Sequence, residues 1–221
     1  MEVKLVVFDM DGVILDSERL ANIAWFATSE KYGLGLTFDD LRKIKGGNLV
    51  RTKEILTNKF GSEMAEKILL NKKEKQLEVM AQEGGIKLKK GVKELLEFLK
   101  ENNIKKVIAT STGRESATRN LKATGVYDYF DDFIFGNEVN KSKPDPEIFL
   151  KACEKAKVNI DNAVVIEDSV MGATAANKGN IKCIVVEDTI KFTSEEDKLA
   201  YKKFDSLLDV KNYFEKNKFS I

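Results

Sequence analysis

The chain has 221 residues, of which 43% are hydrophobic, so it is long and apolar enough to bury a full core. Its 37 lysine and arginine residues balance 36 aspartate and glutamate residues, which leaves no net field to attract DNA or an anionic membrane. It contains no histidine, which excludes every mechanism whose base, nucleophile or metal ligand must be an imidazole.

Met1 is followed almost directly by the apolar segment 5–8, a pattern from which we expect no signal peptide. No apolar run approaches the ~20 residues that a membrane span requires. We expect a soluble, cytoplasmic monomer whose partner is a small molecule, with no nucleic acid and no membrane among its partners.

The first predicted strand, over residues 5–8, is followed by Asp9, Asp11 and the turn residue Gly12. Two acids at this spacing are weak evidence by themselves, since acidic residues also cap helices and fill turns. At the end of a buried strand, however, both carboxylates face the ligand-binding edge of the sheet. Their mutual repulsion helps keep one of them protonated, so one could attack a substrate while the other donates a proton.

The segment that follows is too long for an ordinary crossover. About 95 residues separate the first strand from the second, where a βαβ unit of ~30 residues would suffice. Residues 16–85 have a mainly helical pattern, with one long helix over about 63–82. We predict a helical cap domain at 16–85, inserted into a catalytic core of residues 1–15 and 86–221 and able to act as a lid.

The second predicted strand, 107–109, is followed by the hydroxyl residues Thr110, Ser111 and Thr112 and then by a helix from about Glu115. These hydroxyls can cap that helix. Hydroxyls and free N–H groups at a helix N-terminus also form an anion site. Both interpretations are open at this point.

Lys143 lies between a third predicted strand, 133–135, and a helix near 148–156. A lysine is usually a solvated surface charge. Here Pro144 holds the preceding residue in an extended conformation, which fixes the direction of the lysine. Its ammonium group could therefore pair with a phosphate and with the carboxylate of Asp9.

Glu167 and Asp168 end a fourth predicted strand, 163–166, directly before a helix of small residues. Acidic groups are favourable at a helix N-terminus, but these two could equally hold a hard divalent cation, which prefers oxygen ligands. A fifth strand over 183–186 completes an alternation of strands and helices. That alternation predicts the α/β class with a Rossmann-like, doubly wound parallel sheet.

The polar residues at these strand ends can converge on a single crevice. Four carboxylates and a phosphate dianion cannot share it uncompensated, because each like-charge pair at ~4 Å costs on the order of 4 kcal/mol at an effective dielectric constant of about 20. A Mg²⁺ ion and Lys143 would supply the positive charge.

In order and spacing, these segments resemble the four motifs of the haloacid dehalogenase superfamily, over residues 6 to about 186. The motifs are Phe8-Asp9-Met10-Asp11-Gly12-Val13, Thr110, Lys143-Pro144 and Glu167-Asp168-Ser169. The helical insert resembles the cap of the β-phosphoglucomutase-like subfamily.

The resemblance implies that Asp9 is the nucleophile, which forms an aspartyl phosphate, and that Asp11 is the general acid and then the base. It implies that Thr110 and Lys143 bind phosphate, and we expect Ser111 to bind substrate beside them. The metal ligands are then Asp9, Asp11 through its backbone carbonyl, Glu167 directly or through water, and Asp168.

Sugar phosphomutases of this subfamily carry a histidine at the position that matches Ala21. They also carry a distal-phosphate arginine after a Lys-Gly pair that matches Lys45-Gly46. Arg51 lies two residues farther along than that spacing and is retained as a candidate substrate-binding residue.

We therefore expect a Mg²⁺-dependent phosphatase of small phosphorylated metabolites, sugar phosphates in particular. A β-phosphoglucomutase-type mutase is the alternative. A non-catalytic phosphoacceptor like a response-regulator receiver is the third, although that fold is shorter and has no helical insert after its first acidic strand end.

Overall fold

The computed structural model describes residues 2–221. Its strands are β1 (Leu5–Phe8), β2 (Lys105–Thr110), β3 (Asp132–Phe135), β4 (Ala163–Glu167), β5 (Lys182–Val186) and β6 (Lys202–Phe204). Its α-helices are α1 (Ser17–Tyr32), α2 (Phe38–Ile44), α3 (Leu49–Phe60), α4 (Ser62–Gln82), α5 (Val92–Glu101), α6 (Arg114–Ala123), α7 (Glu147–Ala156), α8 (Val170–Lys178) and α9 (Leu207–Asn217).

The strands form one parallel sheet in the order β3-β2-β1-β4-β5-β6. This is the order of a doubly wound α/β fold, so the predicted fold class is confirmed. The chain reverses its winding between β1 and β4, which is where ligands bind in such sheets.

The sheet is buried on both faces, as the continuous apolar strands predicted. Along β1, Val6 and Phe8 belong to one hydrophobic cluster, while Leu5 and Val7 belong to another on the opposite face. This alternation follows from the two-residue period of a strand. Burial on both faces fixes the register, and with it the direction of the residues after Phe8.

The four helices α1–α4 lie between β1 and β2 in the chain and share a hydrophobic cluster of their own. Helix α4 packs along both α1 and α3. Trp25 and Ile68 are among the buried residues of this cluster. All four helices fall inside the segment predicted to be a helical insert.

No helix within residues 2–221 has the length and apolarity to cross a membrane.

The edge strand β6 was not predicted from the sequence. This strand has three residues, two of which are exposed lysines. It therefore lacks the apolar run that marks a buried strand. Lysines on an edge strand are a common protection against pairing with another chain.

Candidate active site

The sheet brings the predicted residues together at one edge. Asp9 follows β1 directly, and Glu167 ends the neighbouring strand β4. Thr110 ends β2 on the other side of β1. Because all these strands are parallel, their carboxyl ends open on the same crevice.

Lys143 is at the centre of this crevice, with only 1% of its surface exposed. Its Nζ lies 2.6 Å from Asp9 Oδ1 and 2.7 Å from Glu167 Oε1, and it donates to the carbonyl oxygen of Ala109 at 3.2 Å. All three ammonium protons are thereby used. Burial alone would lower the pKa of Lys143, but Asp9 and Glu167 raise it above its ordinary value, so the ammonium stays charged.

Asp9 is a buried carboxyl group among other acids. Its pKa is raised to about 8, mainly by burial and also by the nearby charges of Glu167 and Asp11, while the charge of Lys143 opposes this rise. One lysine does not compensate this group of carboxylates. A further positive charge beside Asp9 would favour its ionised form.

The Glu167 carboxylate is fixed by its own neighbours. Its Oε2 accepts hydrogen bonds from the N–H groups of Asp168 and Ser169, both at 2.9 Å, and from Ser169 Oγ at 2.8 Å. A Cβ at position 172 would overlap the Glu167 carboxylate, so Gly172 is required for this packing.

Within residues 2–221, three carboxylates lie close enough together to hold a metal ion. Asp9, Glu167 and Asp168 each offer an oxygen, and these oxygens all lie within 4.8 Å of one another. Asp168 Oδ2 is buried, and within residues 2–221 it has no hydrogen-bond partner. Lys45 Nζ lies 2.6 Å from it, but the two groups are not aligned as a hydrogen bond. Burial raises the pKa of Asp168 well above its ordinary value, against the attraction of Lys45.

The Asp11 carboxylate lies outside that group and is held by two hydroxyls. Ser17 Oγ donates to its Oδ1 at 2.6 Å, and Thr112 Oγ1 donates to its Oδ2 at 2.7 Å. Ser17 is the first residue of α1, so the helical insert contributes directly to the orientation of this acid.

The other predicted substrate-binding residues lie around the crevice. Thr110 is fully buried, and its hydroxyl accepts a hydrogen bond from the N–H of Thr112 at 3.1 Å. Ser111 Oγ donates to the carbonyl oxygen of Gly46 at 2.8 Å, which joins the core to the insert. Arg51 is on α3, and its buried Nε has no hydrogen-bond partner among the described residues. Their binding roles stay predictions.

Two residues of the site, Lys45 and Ser17, were not predicted from the sequence. Lys45 had a signal, since it belongs to the Lys-Gly pair noted above, but its approach to Asp168 depends on how the insert packs on the core. Ser17 had none, because a single serine most often caps a helix or faces water. Thr112 belongs to the hydroxyl segment that the sequence offers as a helix cap or an anion site, and its contact with Asp11 was not foreseen.

The chain is similar to a known protein family and to several characterised proteins. A family model of haloacid dehalogenase-like hydrolases matches residues 6–186. A phosphorylated carbohydrates phosphatase of Thermotoga maritima is 37% identical over 183 residues, which cover 81% of this chain and 82% of that protein. The crystal structure of β-phosphoglucomutase from Clostridium difficile has a TM-score of 0.78 at 26% identity, with 98% of this chain and 97% of that chain covered. CbbY from Rhodobacter sphaeroides in complex with phosphate has a TM-score of 0.73 at 25% identity, covering 94% and 96%.

Proposed function

Since the chain belongs to the haloacid dehalogenase-like hydrolase family, we propose that it hydrolyses small phosphate monoesters, sugar phosphates in particular, through a phosphoryl group carried on Asp9. The family membership that the motifs predicted is confirmed, and the chain is a phosphatase. The observation that carries the proposal is the buried Lys143, which pairs with Asp9 and Glu167 at the switch point of the sheet.

The metal in this proposal is Mg²⁺, held by Asp9, Glu167 and Asp168, with the backbone carbonyl of Asp11 as a further ligand. The donor set fits, because Mg²⁺ takes oxygen ligands and these three carboxylates converge within 4.8 Å. The buried Oδ2 of Asp168 fits as well, because its ion pair with Lys45 at 2.6 Å shows that positive charge is favourable at this point. When bound, Mg²⁺ would neutralise charge on the phosphate and on these carboxylates.

In the first half of the reaction, Asp9 attacks the phosphorus atom and the bond to the leaving oxygen breaks. Lys143 holds Oδ1 of Asp9, so Oδ2 is the oxygen free to attack. Asp11 gives its proton to the leaving oxygen. The hydroxyls of Ser17 and Thr112 fix the direction of Asp11 for that transfer.

In the second half, water attacks the phosphorus atom of the aspartyl phosphate. Asp11 takes the proton from that water, and the bond between Asp9 and phosphorus breaks. The Thr110 hydroxyl, Ser111 and the N–H groups before α6 bind the phosphate oxygens throughout. Lys143 also binds a phosphate oxygen, by exchanging one of its three present contacts for it.

We assign residues 16–85 to a cap domain over a core of residues 1–15 and 86–221. Two contacts support a cap that closes on the crevice: Ser111 Oγ donates to Gly46 O, and Lys45 approaches Asp168. A closed cap keeps bulk water from the reacting phosphate. A cytoplasmic location and a monomeric state are part of the same proposal and rest on the sequence alone.

The test is release of inorganic phosphate across a panel of sugar phosphates, nucleotides and glycolytic intermediates, with Mg²⁺ and with EDTA. We expect Mg²⁺-dependent release, highest for sugar phosphates. A matched preparation of Asp9→Asn controls for contaminating phosphatases. No release above that control on any ester would contradict the proposal.

One observation favours a mutase as the second candidate. Arg51 Nε is buried and unpartnered within residues 2–221, which suits a second phosphate, and a β-phosphoglucomutase shares the fold at 26% identity. Against it, Ala21 occupies the position where the mutases carry histidine. The two activities are distinguished by incubating the protein with β-glucose 1-phosphate, Mg²⁺ and a trace of glucose 1,6-bisphosphate, and by measuring the products. Rapid glucose 6-phosphate formation with little free phosphate would establish the mutase, and the reverse would support the phosphatase.

A further inference from the structure

Asp188 is an acid beside the crevice to which the mechanism above gives no role. It lies two residues after the end of β5, the strand next to β4 in the sheet. Its side chain is only 7% exposed. A carboxylate buried this deeply needs compensation for both of its oxygens.

Within residues 2–221, one of the two oxygens has an ion-pair partner and the other has no hydrogen-bond partner. Lys89 Nζ lies 2.5 Å from Asp188 Oδ1. Oδ2 is buried, and within residues 2–221 it has no hydrogen-bond partner.

The free oxygen points toward the metal-capable group. A Cβ built at Gly12 would lie 3.2 Å from Asp188 Oδ2 and would overlap Asp168 Oδ2. Both oxygens therefore lie close to one point at the Gly12 turn. Lys45 Nζ is already ion-paired with Asp168 Oδ2 at 2.6 Å, whereas Asp188 Oδ2 has no hydrogen-bond partner within residues 2–221. A divalent cation with its bound water would supply the compensation that Asp188 Oδ2 lacks.

We propose that Asp188 is an outer carboxylate of the metal centre, which accepts a hydrogen bond from a water bound to the divalent cation. We place a water between Asp188 and the cation because Asp188 is not one of the acids whose oxygens converge within 4.8 Å. Mg²⁺ usually keeps several of its waters, and carboxylates around a site orient such ligands. This inference rests on the proposed metal-dependent function.

The competing explanation is that Asp188 serves only to anchor Lys89, in the segment that joins α4 to α5. Three variants separate the two roles. Asp188→Asn removes the carboxylate, Lys89→Met breaks the ion pair and leaves the carboxylate, and the double variant removes both without leaving Lys89 unpaired. Asp205→Asn, at an exposed position, controls for the loss of one negative charge.

The measurement is Mn²⁺ binding, followed by the electron paramagnetic resonance signal of the free ion, with Mg²⁺ added to compete. This readout requires no turnover. We expect Asp188→Asn and the double variant to bind Mn²⁺ about 10-fold more weakly than wild type, in the range for outer ligands of a metal site. Lys89→Met and Asp205→Asn should bind as wild type does.

Equal weakening in Lys89→Met and Asp188→Asn would overturn the inference in favour of the anchoring role. Wild-type affinity in the Asp188 variants would also overturn it, and the double variant decides if Asp188→Asn alone fails to fold. A wild-type protein that binds neither Mn²⁺ nor Mg²⁺ would instead contradict the proposed function.

Discussion

The buried ion pair between Lys143 and Asp9 makes the site sensitive to single substitutions. Lys143 neutralises part of the charge on Asp9 and Glu167, and all three groups are almost completely removed from water. Removing one member of such a group leaves the others buried without compensation. Conservative changes, which keep shape and hydrogen bonds, are therefore the informative ones.

Asp9→Asn should abolish turnover and leave the fold intact. The amide keeps the size of the side chain and its contact with Lys143, but it cannot accept a phosphoryl group. We expect a loss of at least about 10³-fold in kcat. Phosphate release gives the rate, and circular dichroism checks the fold. Substantial activity in a pure, folded preparation would remove Asp9 from the mechanism.

Asp11→Asn should lose about 10²- to 10⁴-fold in kcat, because the amide cannot donate a proton to the leaving oxygen. The loss should be larger for alkyl phosphates than for aryl phosphates, whose leaving groups need less protonation. The comparison uses one sugar phosphate and p-nitrophenyl phosphate on the same preparation. Equal losses on both substrates would show that Asp11 is not the acid.

At the scale of elements, the insert is tied to the core through α2. Arg42 Nη1 contacts Glu196 Oε2 at 2.8 Å, and its Nη2 donates to the carbonyl oxygen of Lys191 at 2.7 Å. Glu196 and Lys191 belong to the connection between β5 and β6, so this contact joins the cap to the loop that also carries Asp188. It is well placed to hold the cap over the crevice.

Arg42→Ala should weaken that closure. The pair is partly exposed and worth up to about 1 kcal/mol, so we expect kcat/KM to fall about two- to fivefold, mainly through KM. Glu196→Gln should behave similarly, and the double variant should be no worse than Arg42→Ala. Glu195→Gln is the matched control, because that carboxylate is 81% exposed and its ion-pair partner is the exposed Lys198. Additive losses in the double variant would argue against a direct contact in solution.

For the whole molecule, metal binding should appear as added stability. The three converging carboxylates repel one another in the folded protein, and a cation that binds only that state shifts unfolding to higher temperature. At a Mg²⁺ concentration of about 100 Kd, we expect a rise in Tm of roughly 5–10 °C over the protein in EDTA. Asp168→Ala should reduce this rise, whereas the exposed Asp205→Asn should keep it. Identical melting of wild type with Mg²⁺ and with EDTA would contradict the metal assignment.

The α/β class could be predicted from the sequence, because short apolar β-branched runs suit strands buried on both faces and they alternate with helical stretches. The sequence also predicted that Asp9, Thr110, Lys143 and Glu167 share one edge, since parallel strands place their carboxyl ends together. The short edge strand β6 escaped prediction, as two of its three residues are lysines and no local pattern marks it.

The contacts across the crevice could not be predicted from the sequence, because they depend on tertiary packing. Lys45 reaches Asp168 from the insert, and Ser17 and Thr112 each donate to one oxygen of Asp11. Asp188 lies near the Gly12 turn and follows β5, a strand that contains none of the four motifs. Such contacts depend on how the insert and the loops pack, and packing joins residues far apart in the chain whose spacing carries no signal. Local sequence fixes what a residue can do chemically, whereas its partner and its burial come from the fold.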